Sequence, residues 1–336
     1  MATPAISSDA LSEIRAALGV DKGSGQDFDD GFAWKPYRLS QGVFAKEPFI
    51  SGGHEIARIQ ISTQILEDVP DRPQTYEVLA QFNQMATLSA LIYRAAQRSI
   101  VSVATANFHS GSRWYIRLLS AAARLQICFA EEVAEALGSA VGGKVAKAGQ
   151  REHPAEILGL SLDMFVGAGR EKSPFEGSFK DATDMRPSPW LEVNGGPTGM
   201  TAEIPFFNDI PVSVAITKGL FCGTALVQAR SNETHPAIGG GLSLTLTLPA
   251  EFEPDAQPQW TNFLNLWEAS NGKEAPLLGS WCVRGGLQFV AFVPSLVDRG
   301  FERQGLSRMV QDLALTLAVR ARVVKGLWDV HASKGK

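Results

Sequence analysis

Cysteine is scarce in this sequence: Cys128, Cys222 and Cys282 are the three found in 336 residues. An odd number at wide spacing excludes a disulfide framework and a CxxC metal pair. Each sits in an apolar run (Gln126-Ile-Cys-Phe129, Leu220-Phe-Cys-Gly223, Ser280-Trp-Cys-Val283), where a thiol behaves as a small hydrophobe. No uninterrupted apolar run approaches ~18 residues, so no membrane-spanning helix and no membrane insertion are expected. The opening Met1-Ala-Thr-Pro-Ala-Ile-Ser has neither a basic stretch nor an apolar one, which predicts no secretion signal and a reducing, cytoplasmic setting. Base is not in excess either: 31 Lys and Arg stand against 35 Asp and Glu, a net charge of −4. Asp9, Glu13, Asp21, Asp27, Asp29 and Asp30 against Arg15 and Lys22 already account for −4, so the rest of the chain is neutral. A neutral body argues against nucleic acid and anionic membrane as partners.

The usual catalytic signatures are missing as well. There is no G-x-S-x-G elbow, HExxH helix, Walker A run or EF-hand loop. His54-Glu55 continues as Ile-Ala-Arg and so lacks a second zinc histidine. Gly239-Gly-Gly-Leu-Ser lacks the phosphate-binding lysine and runs into a strand pattern, which fits a tight turn or bulge. His54, His109, His153, His235 and His331 fall in expected loops or tails with no two at helical spacing, so each reads as a solvated loop histidine. Glu131, Glu132 and Glu135 read as the solvated side of a helix. No metal and no cofactor are expected.

What is present is a plan used twice. A length of 336 residues already favours two domains. Ala90–Arg94 and Ser99–Phe108 form two apolar strands about a short basic turn, and Pro276–Val283 and Leu287–Pro294 do the same about Arg284-Gly-Gly. Both are hairpin patterns, with Val103 matching Val290. Before each hairpin a proline opens an amphipathic helix: Pro73 ahead of Tyr76, Leu79, Phe82 and Met85, and Pro258 ahead of Trp260, Phe263, Leu264 and Trp267. Before those helices, Ile56–Leu66 and Gly241–Pro249 alternate apolar and polar residues, as in a strand covered on one face.

After each hairpin comes a long helix. Ser112 is the expected N-cap of the first, with the stripe Tyr115, Leu118, Leu119, Ala122, Gln126, Phe129, Val133 and Leu137 and a stop at Gly138. The second carries Leu306, Met309, Leu313, Leu317 and Val324, with Arg320, Arg322 and Lys325 placed where a helix C-terminus favours cations. Leading helices are expected from Ser8 to Gly19 and from Pro154 onward. Glycine- and charge-rich linkers follow them, Asp21–Asp30 and Gly167–Pro189. The second copy carries an additional strand-like segment, Val212–Ile216, a further apolar stretch from Leu220 to Gln228, and a polar loop, Ser231–Pro236.

The expected fold class is therefore α+β: two similar domains, each an antiparallel sheet flanked by helices. The expected boundaries are an acidic helix and linker at 1–30, a first domain at 31–150, a helix and linker at 151–189, and a second domain at 190–330.

Residues Leu264-Asn-Leu-Trp-Glu-Ala269, Leu278-Gly-Ser-Trp281, Leu287-Gln-Phe-Val-Ala-Phe-Val-Pro294 and Gly305-Leu-Ser-Arg-Met-Val-Gln-Asp-Leu313 carry a resemblance. Leu79-Ala-Gln-Phe-Asn83, Ser99–Asn107 and Leu118–Ala122 carry it in the first copy. The element order and apolar pattern resemble the bacterial YbjN-like proteins and class I type III secretion chaperones. That resemblance implies a secretion-chaperone-like fold, a non-enzymatic role, and binding of a protein or peptide partner as a chaperone or regulatory adaptor. It also implies an internal pseudo-dimer of the two copies, and hence a monomeric chain. Trp267, Trp281, Phe292, Arg113 and His109 are the candidate partner-binding residues. Two alternatives remain at this stage: a small-ligand protein or enzyme using the cleft between the copies, with Arg113, His109 and His235, and a structural subunit docking by its acidic leading segment.

Overall fold

The computed structural model of the chain describes residues 5–21, 25–146, 175, 192–196, 199–214, 217–248, 250–252, 256–271, 276–295 and 303–334. The helix expected from Pro154 lies outside them, as does nearly all of the linker that follows it.

The first half begins with helix α1 (Ala5–Leu18), which ends where Gly19 turns into positive φ, as the glycine after an amphipathic run predicts. Strands β1 (Gly25–Phe28), β2 (Gly31–Trp34), β3 (Gln41–Ser51) and β4 (His54–Glu67) follow. Next come helix α2 (Pro73–Asn83), the hairpin β5 (Ala90–Arg94) and β6 (Ser99–Phe108), helix α3 (Trp114–Val141) and short β7 (Lys144–Val145). Two expectations shift here. The stretch taken as a linker up to Asp30 contains β1. Helix α3 passes Gly138 and stops at Gly142, whose φ of 76° suits glycine and whose N–H reaches Gly138 O.

In the second half, β8 (Glu192–Gly196), β9 (Gly199–Val214), β10 (Thr217–His235), β11 (Gly239–Thr247) and β12 (Ala250–Phe252) precede helix α4 (Gln257–Asn271). Hairpin β13 (Ser280–Val283) and β14 (Leu287–Pro294) and helix α5 (Arg303–Lys334) complete it. The segments read as an insertion are the two arms of one long hairpin, β9 and β10. The expected polar loop Ser231–Pro236 is mostly strand, bulged between Arg230 and Glu233.

The described strands form two antiparallel sheets, ordered β1-β2-β3-β4-β6-β5 with β7 on β4, and β13-β14-β11-β10-β9-β8 with β12 on β10. Read from opposite ends, the two main paths have the same order along the chain. Val103 faces Ala90 and Val290 faces Ser280, in each hairpin the first residue of the preceding strand.

Alternation along β4 buries Ala57, Ile59, Ile61, Thr63 and Ile65. Helices α1 and α3 lie against β4, α1 also against β3 and α3 also against β6. Gln126, within the apolar stripe of α3, is satisfied there: its amide donates to Ile61 O at 3.2 Å, and its carbonyl accepts from Gln41 at 2.9 Å and Thr63 at 3.1 Å. In the second half, Leu242, Leu244 and Leu246 of β11 are buried, and α5 lies against β9, β10 and β11. Among the described residues no helix is long and apolar enough to cross a membrane.

Candidate functional site

The two halves meet through their middle helices and hairpins. Helix α2 packs on α4 and β13, and α4 packs on β5 and β6. Strands β5 and β13 end their sheets, and an end strand exposes backbone groups that must find partners. Asparagine side chains supply them. Asn83, at the end of α2, accepts from Leu91 N–H at 2.7 Å and donates to Leu91 O at 3.0 Å. Asn265 of α4 does the same for Trp281 of β13, at 2.8 and 3.0 Å. Asn262, from the other half, accepts from Tyr93 N–H at 2.8 Å and donates to Tyr93 O at 3.2 Å. A carboxamide carries both a donor and an acceptor, so it substitutes for one residue of a missing strand.

Further bonds close the seam. Thr105 N–H reaches Leu277 O at 3.0 Å, Leu277 N–H reaches Thr105 Oγ1 at 3.0 Å, and Phe292 N–H reaches Thr87 O at 3.0 Å. Arg58 of β4, 6% exposed, donates to Ala269 O at 3.0 Å and Glu268 O at 3.3 Å, satisfying carbonyls at the end of α4. Burial lowers the pKa of this guanidinium from its ordinary value.

The candidate residues scatter over this frame. Trp281 is fully buried: its indole donates to Glu268 at 2.9 Å and its ring meets Phe289 edge-on. Phe292 is buried against His235 at the seam. Both are therefore interior residues rather than a partner surface: Trp281 is enclosed within its own half, and Phe292 lies at the seam, where its N–H meets Thr87 O. Trp267 is half-buried. Arg113 is spent on α1, paired with Glu13 and, at 3.5 Å, with Asp9. Asp27 is likewise paired with Arg15, so the acidic leading segment uses these charges internally.

His109 caps a short turn, accepting from Gly111 N–H at 3.0 Å, and its backbone N–H donates to Ser112 Oγ at 3.1 Å; Arg113, not Ser112, is the N-cap of α3. The fold also stacks His109 on His54, ring centroids 5.1 Å apart, across a gap in sequence that no helical spacing reveals. Asp312 of α5 lies close by. Burial raises its carboxyl pKa, while a hydrogen bond from Trp114 and the charges of His109 and Arg308 oppose that rise.

His235 is buried, not a solvated loop residue. Its Nε2 meets Met85 O at 3.0 Å and its Nδ1 accepts from Ala237 N–H at 3.2 Å, which fits the neutral tautomer with the proton on Nε2. Desolvation lowers its pKa below the ordinary 6.5, against the raising effect of the Met85 carbonyl. The unfolded chain therefore takes up a proton near pH 6.5 while the native seam does not. Stability is full above that pH and falls as the pH drops from 6.5 toward the lowered native value. Urea midpoints at pH 7.5 and 5.5 are expected to fall further for the wild-type chain than for His235→Gln. An equal fall in both would remove His235 from the account. His109, Arg113 and His235 share no partner among the described residues, so the fold does not gather them into one site.

Other expectations also resolve. Burial pushes the Cys128 thiol up to about 11 and the Cys282 thiol up to about 12, so both stay protonated at neutral pH. Cys222 lies among residues whose side chains are not described. Glu131 does not simply face solvent. One of its carboxylate oxygens accepts from Arg38 N–H at 2.8 Å and Leu39 N–H at 2.6 Å, and the other from Arg38 Nε at 3.0 Å, which fixes the β2–β3 loop. Arg320 is not a cation at a helix end: α5 runs on to Lys334, and Arg320 is buried against Glu268.

An open feature among the described residues is on the second sheet. Gln228, Arg230 and Glu233 of β10, Ser243 and Thr245 of β11, Gln288 of β14 and Arg284 of the adjoining turn line a groove of about 240 Å³. Every lining side chain is polar. Arg230 pairs with Glu233 at 3.1 Å because the bulge between them returns both to one face. Arg284 makes no ion pair among the described residues. The sequence reading missed this groove. Its signal was the alternation Gln228, Arg230 and Ser243, Thr245, which reads equally well as an ordinary solvated sheet face. Comparison with protein-family models, with curated proteins and with solved structures returned no match.

Proposed function

We propose that the chain is a non-enzymatic protein-binding module, chaperone-like or a regulatory adaptor. Its two secretion-chaperone-like halves are joined as an internal pseudo-dimer. The shared strand order, the matching roles of Asn83 and Asn265, and the seam of α2, α4, β5 and β13 support the pairing of two copies. Each copy uses the other to cover its hairpin, so a second chain is not needed for that purpose.

The observation that carries the binding reading is the groove on the second sheet. It is a row of hydrogen-bonding side chains on neighbouring strands that no described residue covers. Rows of this kind suit an extended chain, whose peptide groups offer a donor and an acceptor at each step. A photo-crosslinking amino acid at Thr245, in the full chain in its native cell, is expected to give a discrete polypeptide adduct that is lost when the probe is moved to exposed Glu77 of α2. A folded protein that yields no polypeptide adduct at Thr245 would overturn the reading.

A further inference from the structure

We propose that the β10–β11–β14 groove selects an acidic segment of an extended polypeptide, with Arg284 and Arg230 taking its carboxylates. This deepens the protein-binding reading above and rests on it. Among the described side chains, two guanidiniums and one carboxylate line the groove, a local excess of positive charge within a chain whose total is −4. Arg230 is half committed to Glu233, whereas Arg284 is exposed and holds no carboxylate among the described residues. A planar guanidinium takes a carboxylate through two parallel bonds, so Arg284 is the primary anchor.

Around it, Gln228, Gln288, Ser243 and Thr245 are half-exposed, with no side-chain hydrogen bond among the described residues. They come from three adjacent strands spaced about 4.8 Å apart, a ladder for peptide groups flanked by cations. At about 240 Å³ the groove is smaller than the roughly 300–1,000 Å³ typical of small-molecule pockets, and it suits a side chain with its backbone better than a cofactor.

The first sheet shows what the alternative looks like. By strand register, Phe44 and Gly42 occupy the places that Arg230 and Gln228 hold in the second sheet. The Phe44 ring lies so close over Gly42 that a Cβ there would come within 2.3 Å of it, and it meets Phe28 at 5.5 Å. Aromatic rings stand there in the first sheet, where the second sheet carries Arg230 and Gln228. The chain's own leading acids do not compete for it as a group, since Asp9, Glu13 and Asp27 are held by Arg113 and Arg15.

The test is fluorescence anisotropy on the full chain with a labelled alternating Glu-Ser peptide and its Gln-Ser counterpart at low salt. The Glu peptide is expected to bind at least tenfold tighter. Arg284→Gln is expected to weaken it about tenfold, and Glu233→Gln, which frees Arg230, to tighten it several-fold. Both variants are at exposed or half-exposed positions and should keep the wild-type unfolding midpoint. Equal binding of the two peptides, or Glu-peptide binding unchanged by Arg284→Gln, overturns the acidic preference while leaving a protein-binding groove. Glu-peptide binding abolished by millimolar inorganic phosphate overturns it in favour of a simple anion site. Absence of any polypeptide adduct at Thr245 is the separate result that removes the underlying reading.

Discussion

Glu268→Ala is expected to destabilise the protein by about 3–5 kcal/mol, the usual cost of stripping one partner from a buried ion pair. Glu268 and Arg320 are each 2% exposed, with Arg320 Nε 2.8 Å from one carboxylate oxygen and 3.1 Å from the other. The carboxylate also takes the Trp281 indole N–H, and the guanidinium bonds Pro276 O and lies 3.6 Å over the Phe289 ring. One pair therefore ties together α4, α5 and both strands of the second hairpin. Removing Glu268 leaves a cation with no carboxylate and an indole N–H with no acceptor. The double replacement Glu268→Leu with Arg320→Met is expected to recover most of the loss, because a buried pair exchanged for apolar residues of similar size often costs little. Urea titrations of the three proteins at pH 7.5 check this. A double variant as unstable as Glu268→Ala would show that packing, not the orphaned charge, sets the cost.

The second large effect is expected at the seam. Asn262→Leu keeps the volume but leaves Tyr93 N–H and Tyr93 O without their partner. At about 1–3 kcal/mol for each buried unsatisfied group, the loss should reach about 2–6 kcal/mol. Its distinguishing mark is cooperativity. Asn262 belongs to one half and Tyr93 to the other, so the substitution weakens the contact between halves more than either half. A single unfolding transition is expected to broaden or split in two. Asn265→Leu serves as the control: it orphans the same two backbone groups, but on Trp281 within its own half. That variant should lower the midpoint without separating the halves. Matching single transitions in both variants would mean the seam does not couple them through Asn262.

Much of the fold was legible because the signals are local. Proline at the start of α2, glycine after α1 and alternation along β4 and β11 each depend on a few neighbouring residues, and the structure follows them. Other readings failed where the deciding partner is far along the chain. Arg320 sits among cations in sequence and suggests a helix end, but its carboxylate is 52 residues away. Glu131 suggests a wet helix face, yet it serves a loop 93 residues earlier. Trp281 and Phe292 suggest a sticky surface, yet Trp281 is enclosed by Glu268 and Phe289 from elsewhere in its own half, and Phe292 lies where the first half reaches it through Thr87. The cationic groove was illegible for a different reason. A strand with one polar face looks the same whether that face meets bulk water or a ligand, and only the arrangement of β10, β11 and β14 collects those side chains.

Composition and periodicity thus determined the class of elements and much of their order, since helical and strand periods are written within ten or so residues. Tertiary structure alone decided which asparagines complete the edge strands, which histidine is buried, and which polar side chains gather into the groove of the second sheet. Each of those depends on a partner brought from another strand, another helix or the other half, and the burial that sets its energy exists only once the two halves have closed.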